Sequence, residues 1–400
     1  FLNVESLNYN RYNNNIKMTK IIKIILLLVL ILMNPSQKVF AEEKIKIGLL
    51  VPLSGKNAEI GQSIIKATRL AINKINNPSI EILPKDTMSR PETTLRAAKE
   101  LKQLGVKIVI GPVFNNSLEY LDELKDITFL SLTNKIINNP KNIISAGINA
   151  SSQLKTIQKF IELNKIKKTV FLIPDLNYKD EIKIAISNSK IKILKRYIYD
   201  TDPTKLTKQI EKITNYSKRK QNLEDEITRI EKSDKANKEL LIDRLNKKDT
   251  LGDVKFDSVI IADFDESLKS VTTSLLYTNI SPKDKYFITL NQWFDESLLD
   301  ETSSQPIYFP SINKKNYENF TEEYLKKFNQ YPNQLSFLSF DLVGLVYYLV
   351  LQNNLVIDDK IFIKKTMFKG KIGIFEIKNN KINHILNFYK VEDKTFKEIF

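Results

Sequence analysis

The sequence predicts an α/β protein of two lobes, each built on a parallel sheet. Three observations carry this expectation. Short, nearly continuous apolar runs such as Ile45 to Val51 alternate with segments that are apolar at helical spacing, as in Ile60, Ile64, Ala67, Leu70, Ala71 and Ile75, and that alternation is the signature of doubly covered strands joined by crossover helices. A similar series begins again near Thr169. The chain of 400 residues, 42% of them hydrophobic, is long enough for roughly two domains with real cores.

The elements follow in order. Residues 1–17 are polar and Asn-rich and precede Met18. A basic stretch (Lys20, Lys23), an apolar run from Ile24 to Met33 and a small-residue exit at Val39-Phe40-Ala41 then read as a cleaved secretory signal, with an uncleaved anchor as the alternative. The run is short for a bilayer span. No Cys follows it, which excludes a lipid-modified cysteine as anchor. The mature chain is expected to begin at about Glu42 and to be periplasmic and not membrane-spanning.

Lys44 to Asn76 reads as strand, turn and helix, with Pro52 to Asn57 as the turn. Such a turn sits at the carboxyl end of a strand, where open sheets bind ligands and helix amino ends offer N–H groups. Ser54 and Gly55 either bind there or only make the corner. The turn is neither a Walker loop nor a Gly-x-Gly-x-x-Gly fingerprint. Ile80 to Thr87 is a second strand, Pro91 to Leu104 a helix with Pro at its start, and Val106 to Ile110 a third strand ending in Gly111 to Asn116. A helix carrying Leu118, Leu121 and Leu124 and a strand from Thr128 to Leu132 complete the first series.

The second series has strands at Val170–Ile173, Ile191–Tyr199, Val259–Ala262 and Tyr286–Leu290, with a helix at Asp180–Ser189. Its strand-end loops are Pro174 to Tyr178, Asp263-Phe264-Asp265 and Asn291 to Phe294. A Gly-rich break does not interrupt it, but a charge-dense stretch from Pro203 to about Asp253 does. Ile210, Ile213, Leu223, Ile227 and Ile230 recur there at three- and four-residue steps, and Asp225–Arg229 and Asp243–Lys247 have the favourable acid-first order. This predicts a helical hairpin turning near Ser233 to Asn237, either a solvated insert or a partner surface. Ser336 to Leu351 is a core helix, since Asp341 and its flanks argue against a membrane span. The tail from Lys371 to Phe400 alternates as two antiparallel strands do.

Composition narrows the function. Cys is absent and His384 is the only histidine, which removes thiol nucleophiles, thiolate metal sites and nearly every Ser-His arrangement. His384 itself reads as a sheet-surface residue rather than a base. No catalytic residues, metal or cofactor are expected. The formal net charge is +15, of which residues 1–41 hold +4, leaving +11 on the rest. The lysines are spread along the chain, and no nucleic-acid partner is expected.

At this point a resemblance becomes specific. Ile47-Gly48-Leu49-Leu50-Val51-Pro52-Leu53-Ser54-Gly55, Gly105 to Pro112, Pro174 to Tyr178 and Phe340-Asp341 resemble the type I periplasmic binding proteins of the leucine/isoleucine/valine-binding class. Within it, Asp249 to Val259, Asn291 to Leu299 and the helical stretch are most similar to the penicillin-binding protein activator branch. The resemblance implies two Rossmann-like lobes joined by a hinge, with a cleft between them that closes by hinge motion. It divides the chain into 44–155 plus 311–365 as the N-terminal lobe and 156–310 plus 366–400 as the C-terminal lobe, with 203–253 as the insert. It also implies a cleft lined by Ser54, Asn115, Asn116, Ser131, Thr133 and Asn134 on one lobe and by Tyr178, Asp263 and Trp293 on the other. The implied ligand is a small polar solute such as an amino acid. The implied partner is an ABC permease, or a peptidoglycan synthase if the activator likeness governs. Lys179 follows the cleft Tyr where transport-type members usually have Gly, and Lys135 stands where a small or hydroxyl residue is expected.

Overall fold

Ile45 to Val51 forms a strand because every second and most intervening side chains can be buried, and all but Lys46 are. In the computed structural model this is β1 (Ile45–Val51), the second strand of a five-stranded parallel sheet with β2 (Ile80–Asp86), β3 (Ile108–Ile110), β4 (Thr128–Ser131) and β5 (Ile143–Ser145), in the order β2-β1-β3-β4-β5. Residues 44–136, 139–290, 293–371 and 373–400 are described, with Met18 and Lys23 before them. The signal-peptide reading and the loop residues Asn291 and Gln292 lie outside the described residues. Ile45 to Phe400 make one compact unit.

Between β1 and β2 runs α1 (Ala58–Ile75), and between β2 and β3 runs α2 (Pro91–Gln103). Gly61 lets α1 lie on the end of its strand, because a Cβ there would stand 1.7 Å from the Pro52 carbonyl oxygen. Asn76, left-handed at φ 49°, ends α1 by donating its backbone N–H to Ile72 O. Leu118, Leu121 and Leu124 do not share one α-helix. They are held by two 3₁₀ turns, Asn115–Leu118 and Leu121–Glu123, as a strict three-residue spacing favours.

The second sheet begins with α3 (Ala150–Leu163), β6 (Thr169–Pro174), α4 (Lys179–Asn188) and β7 (Ile193–Tyr199). Three helices follow rather than a hairpin alone. α5 (Pro203–Ile213) buries Leu206 and Ile210 in the main core, whereas α6 (Tyr216–Glu231) and α7 (Lys238–Asn246) form the expected hairpin around Leu223, Ile230 and Leu245. The hairpin is fixed at its root by Arg219. That buried guanidinium donates to Thr214 O at 3.0 Å, to Thr250 Oγ1 at 3.0 Å and to Thr278 O. Then come β8 (Ser258–Ile261), α8 (Asp265–Tyr277), β9 (Tyr286–Thr289), α9 (Ser297–Asp300) and β10 (Ile307–Ser311).

α10 (Lys314–Phe328) and α11 (Gln334–Gln352) return to the first sheet. α11 lies parallel to α1, tied by buried hydroxyl pairs Ser63–Ser336 at 2.7 Å and Thr68–Ser339 at 2.9 Å and by Asn77–Tyr347 at 2.9 Å. Among the described helices it is the one long and apolar enough to cross a membrane, yet most of it is buried in the protein interior. Paired polar groups of this kind suit a core.

The tail corrects the two-strand expectation. A small antiparallel sheet, β11 (Thr366–Lys369), β12 (Ile374–Lys378) and β13 (Lys381–Ile385), precedes β14 (Asn387–Glu392) and β15 (Thr395–Glu398), which close one edge of the second sheet in the order β15-β14-β10-β9-β8-β6-β7. His384 is not on the sheet surface. It is buried beside Phe375 with Nε2 2.8 Å from Ala146 O, and its backbone N–H donates to Ser152 Oγ. Burial lowers its pKa to about 4. The alternation had counted His as a polar position, but Ile382 and His384 share the buried face.

Candidate functional site

Parallel strands deliver their loops at their carboxyl ends, and all nine candidate residues lie in or just after such ends. After β1, the turn is held from outside itself. Asp86, the last residue of β2, accepts Leu53 N at 2.7 Å, Ser54 Oγ at 2.6 Å and Met88 N at 2.8 Å. Burial raises the Asp86 pKa, but the hydrogen bonds from Ser54, Leu53 and Met88 outweigh it and hold the carboxyl below its ordinary value. The Ser54 proton is thereby committed. The N–H groups of Ala58, Ile60 and Gly61 are likewise bonded to Gly55 O and Asn57 O, so this helix start offers an anion little beyond the Glu59 N–H.

After β3, Asn115 and Asn116 are exposed, and Asn116 Nδ2 donates to Ser89 O at 3.4 Å. The neighbouring Ser117 is buried, and its hydroxyl has no partner among the described residues. After β4, Ser131 and Thr133 tie each other. The Ser131 hydroxyl lies 3.1 Å from Thr133 Oγ1 and accepts Thr133 N at 3.2 Å. Asn134 and Lys135 are exposed. Ile136 N donates to Glu181 Oε1 at 2.8 Å, which joins the loop after β4 to the first turn of α4.

On the second sheet the chemistry is different. Asp263, just past β8, is buried, accepts Tyr199 Oη at 2.5 Å and Phe264 N at 3.0 Å, and has its own carbonyl bonded by Thr289 Oγ1 at 2.7 Å. Burial pushes its pKa up, against the hydrogen bonds from Tyr199 and Phe264, and Asp265 adds to the rise. Tyr178, at the start of α4, is half-buried, with its hydroxyl oxygen wholly enclosed and without a partner among the described residues. Burial raises the Tyr178 pKa, and the nearby Asp263 carboxylate raises it further. A buried hydroxyl without a bond costs about 1–3 kcal/mol, so this position is poised to be completed by another group. Lys179 pairs with Asp175 one turn before it. Trp293 packs against the core edge beside Phe294.

The structure therefore brings Tyr178 and Asp263 together, Ser131 and Thr133 together, and Ser54 against Asp86. Among the described residues no hydrogen bond joins a first-sheet candidate to a second-sheet one. Asp86, Ser117 and Tyr199 belong with the set and were not singled out from the sequence. Asp86 ends its strand 32 residues from Ser54, and the last residue of the strand before a binding turn is the signal that identifies it.

The periplasmic binding protein family matches residues 44–215. No curated protein matches the chain. Among solved structures, a putative branched-chain amino acid ABC transporter protein from Rhodospirillum rubrum is similar at 12% identity, with 89% of this chain and 100% of that chain covered and a TM-score of 0.67. The C-domain of LpoA from Haemophilus influenzae, a regulator of PBP1A, gives 14% identity, coverage of 89% and 100%, and a TM-score of 0.58. An ABC transporter substrate-binding protein from Desulfitobacterium hafniense in complex with Leu gives 13%, 89% and 100%, and 0.57. At these identities the likeness is one of fold. Matched by the family over residues 44–215 and alike in architecture to these solved structures, the chain has the α/β fold of the periplasmic binding proteins.

Proposed function

We propose that the protein is an exported, non-enzymatic receptor that holds a small polar solute carrying an ammonium group, such as an amino acid, between its two sets of strand-end loops. The observation that carries this reading is the enclosed, unbonded Tyr178 hydroxyl beside the buried Asp263 carboxylate. An ammonium would bond both and offset the cost of burying each. Thr133 and Asn134 supply a hydroxyl and an amide for the other end, and uptake through an ABC permease or sensing is the service such a receptor performs. A thermal-shift screen of amino acids and small carboxylates tests it. A ligand at a hundred times its Kd should add about 2.7 kcal/mol of stability, and a hit unaffected by Asp263→Ala and Tyr178→Ala would place the site elsewhere.

A second reading is favoured by the hairpin of α6 and α7, whose own small core and Arg219 root hold together two helices with mostly exposed side chains. On that reading the protein regulates a peptidoglycan synthase through protein contacts, as the likeness to LpoA invites. Replacing residues 220–246 by a Gly-Ser linker keeps Arg219 and α5 in place. Envelope pull-down with both forms then decides, since retention of every partner by the shortened form would count against this reading.

A further inference from the structure

The pole of the first sheet opposite the binding loops carries a surface that neither reading uses. The strands of this sheet are parallel, so their amino ends gather there. β1 starts with Ile45 N bonded to Ser79 O at 2.7 Å, and α1 and α11, which run side by side, both end there. In the last turn of α11 and just past its end the chain exposes Leu351, Leu355 and Val356 to 44%, 58% and 56%. Leu104, just after α2, is 44% exposed. Two lysines rim this apolar tip. Lys107 Nζ donates to Ile357 O at 3.4 Å and Lys46 Nζ to Leu104 O at 3.0 Å, and the pairing of Ile47 with Ile108 puts Lys46 beside Lys107. Neither has a carboxylate partner among the described residues.

We propose that this pole docks on an anionic bilayer surface, with Leu351, Leu355 and Val356 entering the headgroup region and Lys46 and Lys107 meeting lipid phosphates. A cluster of large apolar side chains exposed on a tip marks an interaction surface, and ammonium groups around it match the composition of segments that lie in a membrane interface. The chain also supplies the continuity. The apolar run from Ile24 to Met33 ends only residues 34–44 before Ile45, a stretch that spans at most about 40 Å when extended, and Ile45 enters the fold at this pole. Where the run is retained, the pole is tethered to the bilayer. Where it is cleaved, docking is reversible and rests on the tip and the lysines.

The chain has no cysteine, so Leu355→Cys and Tyr331→Cys each accept one environment-sensitive thiol dye. Tyr331 is 76% exposed at the other end of the lobe, near Asn333, whose N–H donates to Ser63 Oγ in the first half of α1. The full chain is mixed with phosphatidylcholine vesicles with and without phosphatidylglycerol. The expected result is a blue shift and quenching by lipid-borne quenchers at 355, absent at 331, weaker on neutral vesicles and weaker in high salt. A dye at 355 that stays in water, or equal responses at 355 and 331, overturns the proposal. Equal responses on neutral and anionic vesicles overturn the assignment to anionic lipid, and a shift at 355 that grows with protein concentration without vesicles assigns the face to a second copy instead.

Discussion

The two faces that carry the candidate residues use the same fold geometry and arrive at opposite polar states. On the first sheet the candidates are either satisfied among themselves, as in Ser54 with Asp86 and Ser131 with Thr133, or exposed, as in Asn115, Asn116 and Asn134. On the second, a carboxylate is buried at raised pKa and a phenol beside it is enclosed without a bond. Satisfied groups shape a surface but gain little from a ligand, whereas an unsatisfied one gains the whole of its missing bond. On the proposed reading, binding energy and selectivity come mainly from the second sheet, and the first contributes little beyond shape.

The largest expected effect is on Asp263. Asp263→Ala removes the buried carboxylate whose charge acts on Tyr178, and breaking a buried charge pair costs about 3–5 kcal/mol. Ligand affinity should fall a hundredfold or more by calorimetry. Asn116→Ala, on the opposite wall, should change it less than about threefold, and equal losses would break the contrast.

Acid should expose a region that belongs to neither face. His384 is bonded where β13 meets the end of β5 and the start of α3. Its folded pKa, lowered to about 4, lies below the ordinary value near 6.5, so between those values the unfolded chain binds the extra proton. Stability should fall as pH drops from about 6.5 to about 4, by about 3 kcal/mol in all, and level off below. Urea titrations of His384→Asn should lose this slope while cleft binding at neutral pH persists.

Two single-atom changes sharpen the comparison by their signs. Tyr178→Phe deletes a buried hydroxyl that has no bond, so the ligand-free protein should gain about 1 kcal/mol while ligand affinity falls. Ser54→Ala deletes a hydroxyl that satisfies Asp86, so the protein should lose about 1 kcal/mol with little change in affinity. Denaturant midpoints moving in the same direction for both would contradict the distinction.

Much of this could be read in the sequence, and what was missed has a common cause. The strand, turn and helix from Lys44 to Asn76 were visible because apolar period and turn residues are local signals, and the structure places β1 at Ile45–Val51 and α1 at Ala58–Ile75. The strands β5, β10 and β11 were not seen, since β5 and β11 are short and fall outside the strand–helix alternation, and Pro310 interrupts the apolar run of β10. At the site, the strand-end loops were legible but their wiring was not. Tyr199 reaches Asp263 across 64 residues of chain and Ser54 reaches Asp86 across 32, and no periodicity encodes which hydroxyl finds which carboxylate. For the same reason the sequence named Tyr178 without revealing that its hydroxyl is left unbonded.

Calorimetry with an amino acid and its deaminated analogue tests most directly whether the pair of Tyr178 and Asp263 is the seat of recognition. The expected result is that the best-binding amino acid of a thermal-shift screen loses a hundredfold or more in affinity when its amine is removed, and that Asp263→Asn abolishes that discrimination. Equal binding of the two compounds, or no binding of any amino acid at millimolar concentration, would contradict it.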